Sequence, residues 1–232
     1  MRDKDLSEKR TMQTLKEYIT TSSKKAKKTQ TSFRVFGNVE VLIKDPLPDS
    51  VDIHVVFKNI QSRIPNRLMH GLDMIYVGDF EYFKERDINA MYESGAIYVS
   101  NEQDSEEDMI DDIVHELAHM IEENHGADIY GDGGIEGEFL GKRISLERVL
   151  RFNEYNTFFF DFKDPDYSED LDVFFYSKVG YTKLDTLSDG LFISPYAATS
   201  LREYFATGLE EYYLGDRKFL SDICPKLYKK LD

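Results

Sequence analysis

The feature that most constrains this chain is a helix-spaced stripe in NEQDSEEDMIDDIVHELAHMIEEN. Ile110, Ile113, Val114, Leu117 and Ile121 recur at three- and four-residue intervals, which predicts an amphipathic helix with one core face. His115 and His119 fall on the opposite side of the same wheel, together with Asp108, Asp112 and Glu122. Ser105 or Asp104 is expected to cap its start, and the acidic first turn suits the helix dipole. A helix of this kind needs a sheet or further helices on its apolar side, so the rest of the chain must supply them.

Upstream, SFRVFGNVEVLI and VDIHVVF read as a hairpin or a pair of β-strands, a short helical stretch lies around Ile60 to Ile64, and MIYVGDF and AIYVS (96–100) read as further strands. Downstream, RISLERVLRFNEY, SEDLDVFFYSKVGY and SLREYFATGLEEYYLG carry helical spacing. Strands first and helices afterwards predict an α+β fold, with a small mixed sheet packed on the His-bearing helix and a mostly helical C-terminal half. The expected organisation is a basic arm over residues 1–31 and a single domain over 32–232, sheet-rich to 104 and helical from 105.

Charge supports that division. Residues 1–34 hold ten Lys/Arg against four Asp/Glu, including Lys24, Lys25, Lys27 and Lys28, whereas the whole chain carries a formal charge of −15. Such acidity argues against nucleic acid as a partner, except for contact by the arm. One cysteine, Cys224, excludes an internal disulfide and a Cys-rich zinc module. The N-terminal residues lack an apolar leader segment and no run is long enough to cross a membrane. The expectation is a cytoplasmic, host-cell or virion-associated protein without a membrane partner.

The chemistry concentrates in His115-Glu116-Leu117-Ala118-His119, an H-E-x-x-H sequence. Histidines four apart on a helix present both imidazoles to one metal, and the intervening glutamate flanks the metal's water. A catalytic zinc needs a third protein ligand and an open position. His125 is poorly placed, since a continuing helix carries it about 15 Å along the axis from His115; His125-Gly126 reads as a helix C-terminus. The residues leave Glu203 and Glu210 as alternative third ligands, on one stripe of SLREYFATGLEEYYLG. Ser200-Leu201-Arg202-Glu203 also matches a capping box, which would occupy Glu203. Asp111 and Asp112, one turn before His115, are possible acceptors for a ligand N–H. Asp128, Asp132, Glu136 and Glu138 are acidic enough for calcium, but their spacing fits no EF-hand loop.

HELAH followed by SPYAATSLREYFATGLEEYYLG resembles the anthrax lethal factor-like zinc metallopeptidases, a group that includes the Pro-Pro endopeptidases. The resemblance covers about residues 95 to 228 and extends to the strand AIYVS and to Val179-Gly180-Tyr181. It implies a zincin-like fold, one catalytic Zn²⁺ on His115, His119 and Glu203, Glu116 as general base, Tyr196 as oxyanion donor, and a protein or peptide substrate. The family commonly has an acidic residue four after the ligand glutamate, where this chain has Thr207. Ala96–Ser100 is the expected edge strand for an extended substrate, with the acidic segments 161–172 and 131–138 flanking the cleft. The alternative readings are a zincin-fold protein without peptidase activity and an acidic interaction domain.

Overall fold

A computed structural model describes residues 31–86 and 88–232; of the basic arm expected over residues 1–31, all but Thr31, which begins the first strand, lies outside them. The first strands, β1 (Thr31–Val35) and β2 (Val39–Ile43), form an antiparallel hairpin. VDIHVVF is not its continuation. It opens helix α1 (Ile53–Arg63), capped by Asp52, whose Oδ1 accepts from the His54 N–H at 2.8 Å. Ile53, Val56, Phe57 and Ile60 are buried at helical spacing there, so a β-branched run that mimics a strand is decided by its cap and its period. The short helix expected around Ile60 is simply its end.

Strand β3 (Met74–Gly78), helix α2 (Glu81–Arg86), and strands β4 (Ala90–Glu93) and β5 (Ala96–Ser100) follow. The sheet order is β1-β2-β3-β5-β4, parallel at β2–β3 and β3–β5 and antiparallel at both margins. The small mixed sheet is therefore as expected, but AIYVS is not an edge: β5 is enclosed by β3 and β4. The edge on that side is β4, joined to β5 through Ser94 and Gly95 at φ 50° and 85°, the positive angles of a tight two-residue hairpin turn. Alternation sorts the faces. Val41, Ile75 and Ile97 lie in register across three strands and are fully buried, as are Val77 and Val99, each worth about 1.5–3 kcal/mol of burial.

After Ser100 every described element is helical. α3 (Glu106–Tyr130) packs on α1, β4 and β5, and Ser105 caps it by accepting from the Asp108 N–H. It runs past His125-Gly126, correcting the expected terminus. Gly126 has open space around it, Ile129 is buried on the added turn, and the end comes at Gly131. α4 (Gly134–Phe152), α5 (Glu169–Val173), a π-helical turn (Phe174–Val179), α6 (Tyr181–Ser188), α7 (Leu201–Tyr213), α8 (Arg217–Ile223) and α9 (Pro225–Leu231) complete the fold. The closest helix pairing sets α7 against α3. Across α7, Gly208 lies so near Leu227 of α9 that a Cβ would come within 2.1 Å of Leu227 Cδ2.

The residues expected as an acidic loop, Gly131–Glu138, turn into the first helical turn of α4. Glu138 accepts from the Tyr204 hydroxyl and the Lys226 N–H, both at 2.8 Å, and Asp132 pairs with Lys230 at 2.8 Å. These acids tie helices together.

Candidate metal centre

Two helices place the centre. α3 supplies His115 and His119 one turn apart, with ring centroids 4.8 Å from each other. α7 supplies Glu203, whose Oε2 lies 2.9 Å from His115 Nε2 and whose Oε1 lies 3.6 Å from His119 Nε2. These three side chains offer ligand atoms within 4.8 Å of one another, the only such group among the described residues. The capping box forms by halves: Ser200 Oγ accepts from the Glu203 N–H at 3.1 Å, while the Glu203 carboxylate turns to the histidines. The backbone of Glu203 starts the helix and its side chain is free to be a ligand.

Glu210, the alternative ligand, lies two turns along α7 and is hydrogen-bonded to His115 Nδ1. It therefore holds the His115 ring from the side opposite Glu203. Asp112, expected in that role, instead accepts from Gln103 at 2.9 Å. Thr207 stands between the two glutamates and is 6% exposed. His125 stays on the exposed side of α3, 4.0 Å from Asp128, away from the centre.

Glu116 is 9% exposed, and its Oε2 accepts from the Tyr92 N–H of edge strand β4 at 2.6 Å. Burial lifts its carboxyl to about 7, against the lowering effects of His115 and the Tyr92 N–H. Burial also works against charge on both histidines. At His115 the bonds to Glu203 and Glu210 outweigh it and lift the ring to about 10; at His119 burial prevails and holds the ring near 3. Glu203 is lowered because its histidine partners overcome burial. Arg202 donates to His119 Nδ1 at 3.0 Å and lies 3.7 Å from Glu122. If a metal were held by His119 Nε2, Nδ1 would carry the proton and Arg202 would give up this contact, with Glu122 near enough to pair with it.

Tyr196 begins a short 3₁₀ turn (Tyr196–Ala198) just ahead of α7. It is 41% exposed, its ring lies 6.3 Å from that of His115, and its hydroxyl has no partner among the described residues. Burial of its remaining surface and the nearby Glu203 raise its pKa, so it stays a neutral donor.

A cleft of about 930 Å³ passes over these groups, walled by Ala90, Met91 and Tyr92 of β4 and by Pro165, Asp166 and Tyr167. The segment 161–172 thus reaches the cleft and 131–138 does not. The wall is braced by buried Arg143, which donates to the Asp164 carbonyl at 2.8 Å, and by Leu201 N–H on the Pro165 carbonyl. Sequence reasoning missed β4, signalled by Ser94-Gly95 between two alternating runs; nothing local signalled Arg143 or Arg202.

Searches of protein-family models, curated proteins and solved structures return no match to this chain.

Proposed function

We propose that the chain is a zinc-dependent endopeptidase with a zincin-like fold. The observation that carries the reading is the convergence of His115, His119 and Glu203, with Glu116 and Tyr196 beside them at one cleft. The donor set fits zinc: two imidazoles and one carboxylate, two of them buried, with His115 Nδ1 held by Glu210 so that Nε2 faces the shared point. A zinc ion there would lower the pKa of a water towards 7 and polarise the scissile carbonyl.

The chain's own groups divide the remaining work. Glu116 accepts the proton of the attacking water and delivers it to the leaving nitrogen, a task suited to a carboxyl near 7. Tyr196 donates a hydrogen bond to the oxyanion of the tetrahedral intermediate. β4 offers an edge for an extended peptide, although its Tyr92 N–H is engaged by Glu116, so pairing falls to the remaining backbone groups.

Native mass spectrometry of wild type and Glu203→Ala, followed by a peptide-library digest, tests the reading. One zinc in the wild type, its loss in the variant and cleavage by the zinc form are expected. Zinc retained without Glu203 would displace it as ligand. Zinc without cleavage across a diverse library would favour a binding protein.

A further inference from the structure

We propose that the cavity on the Glu210 side of His115 receives a lysine or arginine side chain of the substrate, an inference that rests on the peptidase reading. This cavity, about 530 Å³, shares with the main cleft only His115 and Tyr196. The two therefore adjoin at the centre, where a chain laid across it can reach both. Its polar lining comprises Asp111, Ser194, Thr207, Glu210 and Glu211, and no lysine or arginine faces it; the main cleft, by contrast, contains Arg86 and Arg202.

Thr207 marks the cavity as more than an acidic patch. The residue is 94% buried by the complement of its 6% exposure, it lines the cavity, and its hydroxyl has no partner among the described residues. The fully buried side-chain atoms without a partner among the described residues are Asn101 Oδ1 and Arg143 Nε, so the Thr207 hydroxyl opens onto the cavity, where a ligand N–H finds an acceptor. Asp111 has neither ion pair nor hydrogen bond among the described residues; Glu210, Asp108 and Asp112 crowd it, and Arg63, which does not line the cavity, offsets them only in part. Burial first and then those charges lift its carboxyl to about 6, so a cation is welcome beside it. Asp111, Glu210 and Glu211 do not converge as His115, His119 and Glu203 do, so they suit a long cationic side chain rather than one metal ion. Ile193 and Leu214 line the same cavity and suit its methylene stem.

The test uses the Glu116→Gln chain, with and without zinc, titrated with blocked peptides that carry lysine or its uncharged counterpart norleucine at each position in turn. At one position lysine is expected to bind about tenfold tighter. That gap should collapse in Asp111→Asn, narrow in Thr207→Val, and reverse in Asp111→Lys. It should survive Asp49→Asn, which removes an exposed charge elsewhere. Equal binding of both peptide sets, a gap that survives Asp111→Lys, or an equal loss in Asp49→Asn would overturn the proposal. Cleavage by the chain with Glu116 intact is scored separately. An Asp111-dependent lysine preference without cleavage leaves the cavity assigned and removes the peptidase reading; cleavage without that preference does the opposite.

Discussion

Glu210 and Glu203 of a single helix grip opposite nitrogens of His115, Glu210 at Nδ1 and Glu203 at Nε2. Seven residues are two helical turns, so both carboxylates project from one face of α7 towards α3. Glu210→Ala is expected to weaken zinc binding about 10–100-fold by releasing the ring, and Glu203→Ala to weaken it further by removing a ligand. Competition against a fluorescent chelator measures both. Wild-type affinity in Glu210→Ala would show that His115 needs no orienting partner.

Glu116 and Tyr196 are expected to separate chemistry from metal binding. Tyr196→Phe should keep zinc and lose about 10²–10³ in kcat, the usual cost of one oxyanion donor. Glu116→Gln should keep zinc and abolish hydrolysis. Turnover unchanged in Tyr196→Phe would remove that residue from the reaction.

Zinc uptake should be proton-linked. In the metal-free chain His115 holds its proton up to about pH 10, because Glu203 and Glu210 outweigh its burial, whereas His119 is neutral above about pH 3. Metal must displace the His115 proton, so affinity rises with pH, about tenfold per unit over roughly pH 6–9. Calorimetry in buffers of different ionisation enthalpy reads the released proton. Buffer-independent heats would mean that His115 is already neutral before zinc arrives.

Packing at the back of α7 is tight enough to test by one methyl group. Gly208→Ala places a Cβ 2.1 Å from Leu227 Cδ2, inside a fully buried contact. Overpacking of about 1–3 kcal/mol should exceed the roughly 1 kcal/mol that alanine gains in helix propensity. A lower urea midpoint is expected. A rise would show that Leu227 repacks without cost.

Much of the local structure was legible because its causes are local. The stripe from Ile110 to Ile121, the Ser105 cap, and the runs that became β3 and β5 each follow from residue type and period, whereas the expected pairing of SFRVFGNVEVLI with VDIHVVF is replaced by a hairpin within the first of them. VDIHVVF misled because valine and isoleucine fill a buried strand and a buried helix face alike, and only the Asp52 cap and the partner surfaces separate them. Gly126 misled because a glycine ends a helix only where the next turn has nothing to bury, and here Ile129 follows.

By itself, then, the sequence determined that two histidines would share one helix face and that Glu203 and Glu210 would share another. It could not rank those glutamates, because both satisfy the same period. Tertiary structure ranked them: α7 crosses α3 with Ser200 holding the backbone at its start, which brings Glu203 to both histidines and leaves Glu210 only the outer nitrogen of His115. The same docking chose β4 rather than β5 as the free edge. Strand order depends on contacts between segments far apart in the chain, which no local period records.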